Sequence, residues 1–434
     1  MRVLGMILAG GEGSRLAPLT VERAKPAVPF AGKYRIVDFV LSNFVNSGIY
    51  ALYVLTQFKS QSLVEHLQEA WQFSGILPDA FVIPAPAQMR RGRVWYRGTA
   101  DAVYQNLHLI RRADPEYVAV FGADHVYRMH MGQMVDYHEA KRADVTVAVR
   151  PVPLAEATAF GILSVDRDGR VTGFAEKPRR PQPMPGYPEL ALASMGNYLF
   201  GPDALIEAVE ADAAQETAHD FGRDIIPALI GERRVYAYDF RHNRIPGILP
   251  GEDPTYWRDV GTVEAYFEAH MELLGEAPPI DLRNRRWPIR TATYSDPPAS
   301  LLGADGGGPV DCLVAEGALV VGSQVRRCIL GRNVTVHRGC SLEEVVVNDG
   351  AEIGEGARIR RAILDKGALI PRGVTVGFDR KADERLYHVT PTGITVVPRG
   401  PLGKSRKLAE RGKGGPGAGA AHPAAPAAVA EAVR

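Results

Sequence analysis

The sequence has little cysteine, almost no net charge and no long apolar run. Its three cysteines, Cys312, Cys328 and Cys340, all fall late in the 434 residues and show neither CxxC spacing nor histidine partners of metal-site type. That excludes a disulfide framework and a zinc site of ordinary spacing, and predicts reduced, packed thiols in a cytoplasmic protein. The formal net charge of +1 leaves no basic field for non-specific nucleic-acid binding, so any anionic ligand must be met locally. The apolar start, ending at Ala9, is too short for a signal peptide's hydrophobic region and runs straight into glycines and Arg15. No run is long enough to span a bilayer. What is present, 46% apolar and 23% charged residues, is ordinary for a soluble chain of two domains.

From Val3 to about Gly275, short β-rich runs ("VLGMILAG", "ALYVLT", "YVAVFGAD", "DVTVAVR") alternate with helical stretches ("SQSLVEHLQEAW", "TADAVYQNLHLIRRA"), with Thr99 a candidate N-cap for the second helix. Alternation of this kind predicts an α/β fold, a Rossmann-like, mostly parallel sheet covered on both faces. The proline-rich "EKPRRPQPMPGYPEL" reads as a surface excursion. Beyond about residue 311 the period changes to six, six and five. Leu330, Val336 and Leu342 are followed by Val347, Ile353 and Ile359, then by Leu364, Ile370 and Val376, with Leu313, Leu319 and Val325 upstream. Such steps mark a left-handed parallel β-helix. The division expected is 1–275, a linker at 276–310, a β-helix at 311–398 and a disordered Gly, Ala and Pro tail at 399–434.

The strand ending at Ala9 is followed by "GGEGSR", a turn whose backbone N–H groups can cradle phosphate oxygens. It matches neither GxGxxG nor a P-loop, and alone it reads equally as a plain turn. Arg15 and Lys25, the latter stiffened by Pro26 and Pro29, supply the cations a triphosphate needs, although singly each reads as a solvated charge. Asp124, just past an apolar strand in "VFGADHVY", stands on the ligand-binding edge of such a sheet and is a candidate Mg²⁺ ligand. Asp259 in "YWRDVGT" is a candidate second ligand, and either aspartate alone reads as an Asx cap.

Taken together, "LAGGEGSRLAPLT", "RAKPAVPFAGKYRIVDFVLSN", "WYRGTADAV", "GADHVY", "FAEKP", "ASMGNYLF", "HDFGRDIIP" and "YWRDVGTVEAY", ahead of a β-helix, resemble the bacterial glucose-1-phosphate adenylyltransferases from Val3 to about Pro398. The resemblance implies a nucleotidyltransferase domain at 1–275 and the conversion of ATP and α-D-glucose 1-phosphate to ADP-glucose and pyrophosphate, the committed step toward bacterial glycogen. It implies that Gly10, Gly11, Gly13, Arg15 and Lys25 hold the triphosphate, and that Asp124 and Asp259 bind Mg²⁺. Lys177 would hold the phosphate of glucose 1-phosphate, and Glu176, Ser194, Tyr198, Asp220 and Trp257 the sugar. Gln88, Trp95 and Tyr96 would lie on a loop over the nucleotide, and Gly161 in an ADP-glucose contact motif. Without the resemblance, Tyr198 and Trp257 read as core aromatics, Ser194 as an incidental hydroxyl and Lys177 as a turn charge.

Members of this family are usually homotetramers regulated by glycolytic intermediates. Where the enteric pattern has an activator-binding lysine, this chain has Glu22, and a family histidine is replaced by Pro29. An acid there would repel a phosphate. Arg23, Arg35, Arg112 and Arg385 remain as a candidate anion pocket. Three other readings compete: a nucleotidyltransferase with another base or sugar, a β-helix acyltransferase for which His337 is the sole histidine within the repeats, and a non-catalytic regulatory subunit.

Overall fold

The structure, a computed structural model, describes residues 2–73, 80–88, 95–303 and 308–401. The expected disordered tail therefore lies, from residue 402 on, outside the described residues. Among them no helix is long and apolar enough to cross a membrane.

The strand Val3–Ala9 lies at the centre of a nine-stranded sheet, parallel to Ala51–Thr56 on one side and to Tyr117–Gly122 on the other. Its side chains alternate between two buried layers: Val3, Ile7 and Ala9 join one apolar cluster, Leu4 and Met6 the other. Both faces are thus covered, as near-continuous apolar strands require. Beyond Tyr117–Gly122 the long strand Leu190–Phe200 runs antiparallel and pairs with Val145–Pro153. The proline-rich excursion before it is largely exposed. The second expected helix is two, Thr99–Tyr104 and Leu107–Ala113. They part at Asn106, whose amide donates to Ala102 O at 2.8 Å and to the Tyr96 hydroxyl at 2.9 Å. Nor does Thr99 cap a helix: Gly98 holds that place, and the Thr99 hydroxyl reaches across to Asp220 Oδ2 at 2.9 Å.

The C-terminal coils stack in parallel register, Val336 on Ile353 on Ile370 and Leu342 on Ile359 on Val376, all buried. Upstream the expected phase is off by one. Val314 pairs with Leu330 and Val320 with Val336, so Val314 and Val320, not Leu313 and Leu319, continue the inner rows. The cause is a coil of sixteen residues there against seventeen later, as the partners Val314 to Leu330 and Leu330 to Val347 show. Coiling also starts within the stretch expected to be linker, because Ser300–Leu302 pairs with Leu319–Val321.

Residues that alternate with the inner row, Ile329, Val346, Ile363 and Val396, point the other way, into a shared cluster with Phe30, Tyr266 and Phe267 of the N-terminal domain. One apolar layer therefore joins the two domains. Along one corner, four charged residues take up positive φ: Asp311 (54°), Arg327 (50°), Glu344 (51°) and Arg361 (46°). L-residues there cost about 1–2 kcal/mol each. Alternating charge offsets part of that cost: Arg327 meets Asp311 at 2.9 Å and Glu344 at 3.7 Å, and Arg361 meets Glu344 at 3.4 Å.

Candidate active site

Past Ala9 the chain enters the glycine turn at the carboxyl end of the central strand, and a cavity of about 860 Å³ opens there. Gly13 has φ 64°, and a Cβ on it would lie 2.9 Å from Lys25 Cβ, so this glycine is required by backbone and by packing. Gly11 is different. Nothing lies within 4 Å of where its Cβ would be, so the fold does not demand glycine there. That open space faces the cavity, which Gly10, Gly11, Gly13, Arg15 and Lys25 all line.

Lys25 is buried in a short turn, Lys25–Ala27, started by Pro26. Its ammonium donates to Asp124 Oδ2 at 3.1 Å and to Asp259 Oδ1 at 2.9 Å. The two aspartates meet because His125–Tyr127 and Trp257–Asp259 form an antiparallel ribbon in which His125 stands opposite Asp259. Arg15, 71% exposed, lies 3.9 Å from Asp259. Burial alone would lower the Lys25 pKa, but the two carboxylates outweigh it and raise it. Burial would raise the Asp124 pKa. The nearby His125 and Lys25 charges reverse that and hold the carboxyl well below its usual range, while 40% of its side chain stays open to solvent.

Asp124, His125 and Asp259 offer ligand atoms all within 4.8 Å of one another. Carboxylate oxygens suit a hard divalent cation, and the Lys25 ammonium already places a positive charge between them. The donor set fits a divalent metal.

The same cavity is also lined by Gly161, Glu176, Lys177, Ser194, Tyr198, Asp220 and Trp257. Lys177 has φ 46°, is 65% exposed and lies 3.4 Å from Glu176. Asp220 has two duties: Oδ1 caps the turn Phe221–Ile225 through Gly222 N and Arg223 N, while Oδ2 accepts from Thr99. Tyr198 is largely core, stacked on Phe221 at 5.5 Å, and burial pushes its phenol well above the usual value. Trp257 packs on His125 at 4.5 Å and under the Arg150 guanidinium, and its buried Nε1 has no hydrogen-bond partner. An unpaired donor at a cavity wall is an expensive feature unless a ligand meets it. Tyr96 lines the cavity with its N–H on Gln57 Oε1 at 2.6 Å. Gln88 and Trp95 are exposed and do not line it, and residues 89–94 between them lie outside the described residues.

The four candidate anion-site arginines do not assemble. Arg23 and Arg35 reach the domain seam, where Arg23 pairs with Asp365 at 2.7 Å and Arg35 with Asp349 at 3.4 Å. Arg112 instead donates to the Tyr53 hydroxyl at 2.7 Å, and Arg385 stands exposed in the helix Arg380–Leu386. Their places are taken by Arg332, 3.2 Å from Asp349, and by Lys366. Burial, then the Arg35, Arg23 and Arg332 charges, lower the Lys366 pKa, with Asp349 in part opposing them. Glu22 lies 3.8 Å from Arg399. His125, absent from the sequence expectation, adjoins Asp124 in the chain, and that adjacency was the available signal. His337 lies on the β-helix surface, 2.9 Å from Glu352.

The family model described as nucleotidyl transferase matches residues 4–276, and one described as GlmU-like, C-terminal hexapeptide matches 297–397. A glucose-1-phosphate adenylyltransferase of Thermus thermophilus is 54% identical over 411 residues, 92% of this chain and 99% of its own length. The chain belongs to the glucose-1-phosphate adenylyltransferase family. Members from Photobacterium profundum and Aliivibrio fischeri are 50% and 47% identical over 92% of this chain and 98% of theirs. Identity at this level, end to end, extends over both domains and not the glycine turn alone.

Proposed function

We propose that this chain transfers an adenylyl group from ATP to α-D-glucose 1-phosphate, giving ADP-glucose and pyrophosphate as the committed step of bacterial glycogen synthesis. The observation that carries the reading is one cavity that joins a glycine turn, a cation-and-carboxylate cluster and a set of polar side chains with an exposed lysine. A phosphate oxygen of the sugar phosphate forms a bond to the α-phosphorus of ATP, and the bond to the β-phosphate breaks in line. Such transfers rest on positioning and charge neutralisation more than on covalent help. The turn's N–H groups, Arg15 and Lys25 meet the triphosphate. Asp124 and Asp259 would hold Mg²⁺, which supplies charge neutralisation at the α-phosphate. Lys177 follows the sugar phosphate, since a long ammonium keeps contact as that group moves. Glu176, Ser194, Asp220 and the free Trp257 N–H meet the glucose, with Tyr198 behind them as packing.

The same reading assigns residues 1–275 to catalysis and the coils after the 276–310 stretch to assembly and regulation in a cytoplasmic homotetramer. Arg23, Arg35, Arg332 and Lys366 at the seam form the anion pocket for a phosphorylated or carboxylate effector. The test is pyrophosphate release with Mg²⁺ and glucose 1-phosphate, comparing ATP, UTP, dTTP and GTP with and without fructose 6-phosphate, fructose 1,6-bisphosphate and pyruvate. Preference for ATP supports the assignment. Preference for another nucleotide overturns it.

A further inference from the structure

Two of the three cysteines stand opposite one another on adjacent coils. Pro309 and Val310 pair with Val325 and Arg326, and Leu313 and Val314 with Ile329 and Leu330, so register sets Cys312 against Cys328. The Cys328 N–H donates to Cys312 Sγ at 3.4 Å. Neighbouring strands lie about 4.8 Å apart, inside the Cα separation of about 4.4–6.8 Å that a disulfide spans. The pair continues upward as Val345 and Ala362, a row of small side chains in which thiols pack as ordinary apolar groups. Packing alone accounts for Cys328, which is fully buried. It accounts less fully for Cys312, which is only partly buried, with its Sγ against three polar backbone groups: Val310 O, Val325 O and Cys328 N.

We infer that Cys312 and Cys328 are a redox-modifiable pair, open to oxidation by a low-molecular-weight disulfide and closing into a bond that staples the first two coils of the β-helix. The Cys328 thiol, with its own N–H adding to it, lowers the Cys312 pKa, whereas burial raises that of Cys328, so the more accessible Cys312 attacks first. The Cys312 thiolate attacks one sulfur of the small disulfide, forming a mixed disulfide and releasing one thiolate. Cys328 then gives up its proton and attacks Cys312 Sγ, displacing the second thiolate. Two protein thiols are oxidised and one small disulfide is reduced to two thiols.

The staple would sit beside a junction. Asp311, immediately before Cys312, accepts from the Gly275 N–H at 2.6 Å and pairs with Arg327, which immediately precedes Cys328. Both residues hold positive φ, so the two thiols are delivered from matched corners. Cys340 does not share this arrangement. It is buried, with its sulfur directed at Gly354 O and its N–H on Ser323.

The test is incubation of the purified full-length protein with glutathione disulfide, followed by alkylation, peptide mass spectrometry and a thermal melt. The expected result is a Cys312–Cys328 linked peptide, lighter by two hydrogens and reversed by dithiothreitol. Cys340 would remain free for alkylation after unfolding, and the melting temperature would rise by about 2–4 °C. Cys328→Val, which places in this coil the residue the next coil already has, should instead accumulate glutathione on Cys312 with no rise in melting temperature. A stable glutathione adduct on Cys312 of the unsubstituted chain, a cross-link involving Cys340, or no modification of Cys312 would each overturn the inference.

Discussion

The Lys25 ammonium lies 2.9 Å from Asp259 and 3.1 Å from Asp124, so one buried cation bridges two carboxylates that lie far apart in the chain. The arrangement makes Lys25 a competitor of any metal bound by the same two groups. Lys25→Met should therefore tighten Mn²⁺ binding in the absence of nucleotide while lowering turnover by about 100-fold or more. Titration of free Mn²⁺ by electron paramagnetic resonance reads the first effect, and steady-state kinetics the second. Weaker Mn²⁺ binding in the variant would contradict the competition.

The two glycines of the turn should separate fold from function. Gly13→Ala is expected to destabilise the chain by about 1 kcal/mol or more, because φ 64° and the 2.9 Å approach to Lys25 both resist a side chain. Gly11→Ala meets open space and should leave the melting temperature unchanged while raising KM for ATP about tenfold. Melts and ATP saturation curves of the two variants check this together. An unchanged KM in Gly11→Ala would remove the phosphate role from that glycine.

Across the domain seam, Arg23 and Asp365 form a bidentate pair with side chains 8% and 7% exposed. Asp365→Ala leaves a buried guanidinium unpaired and should cost about 3–5 kcal/mol in denaturant unfolding. Arg399→Ala removes the partner of Glu22 from an exposed pair and should change stability by less than about 1 kcal/mol. Equal effects would show that burial of the seam is not what makes its charges matter.

Stability should also fall on mild acidification. His270 is buried, with Nε2 accepting from Ala31 N–H at 3.1 Å and Nδ1 against Tyr266 O at 2.7 Å, and burial lowers its pKa to about 4. The unfolded chain binds a proton near the ordinary value of 6.5 and the folded chain does not. The stabilisation is therefore complete above about pH 6.5 and is lost as pH falls toward 4. Buried His138, lowered to about 4 in the same way, adds to the slope. Melts between pH 4 and 7 should show a shallower fall for His270→Gln, which can keep the acceptor to Ala31. An identical slope would rule His270 out as a source.

Local features were legible in the sequence, and those that depend on distant pairing were not. The glycine turn and Asp124 follow from strands ending in the right residues. The meeting of Asp124 with Asp259 rests on a three-residue ribbon, too short to leave a period. Thr99 has an N-cap's sequence context, but its hydroxyl is claimed by Asp220 from another part of the chain. In the β-helix the apolar period shows the inner rows clearly from Leu330 on, where coils are regular. It fails by one residue upstream, where one shorter coil exchanges the inward and outward roles of Leu313 and Val314. Nothing local in the sequence separates Arg112 and Arg385 from Arg23 and Arg35, because charge says nothing about which elements meet at a seam.

The most direct test of the account supplies the purified chain with Mg²⁺, glucose 1-phosphate and ATP labelled at the α-phosphorus, alongside an Asp124→Asn variant. The account predicts label in ADP-glucose, one unlabelled pyrophosphate released for each molecule formed, and a rate lower by about 100-fold or more in the variant. Label that stays in ATP, or an Asp124→Asn rate equal to that of the unsubstituted chain, would contradict it.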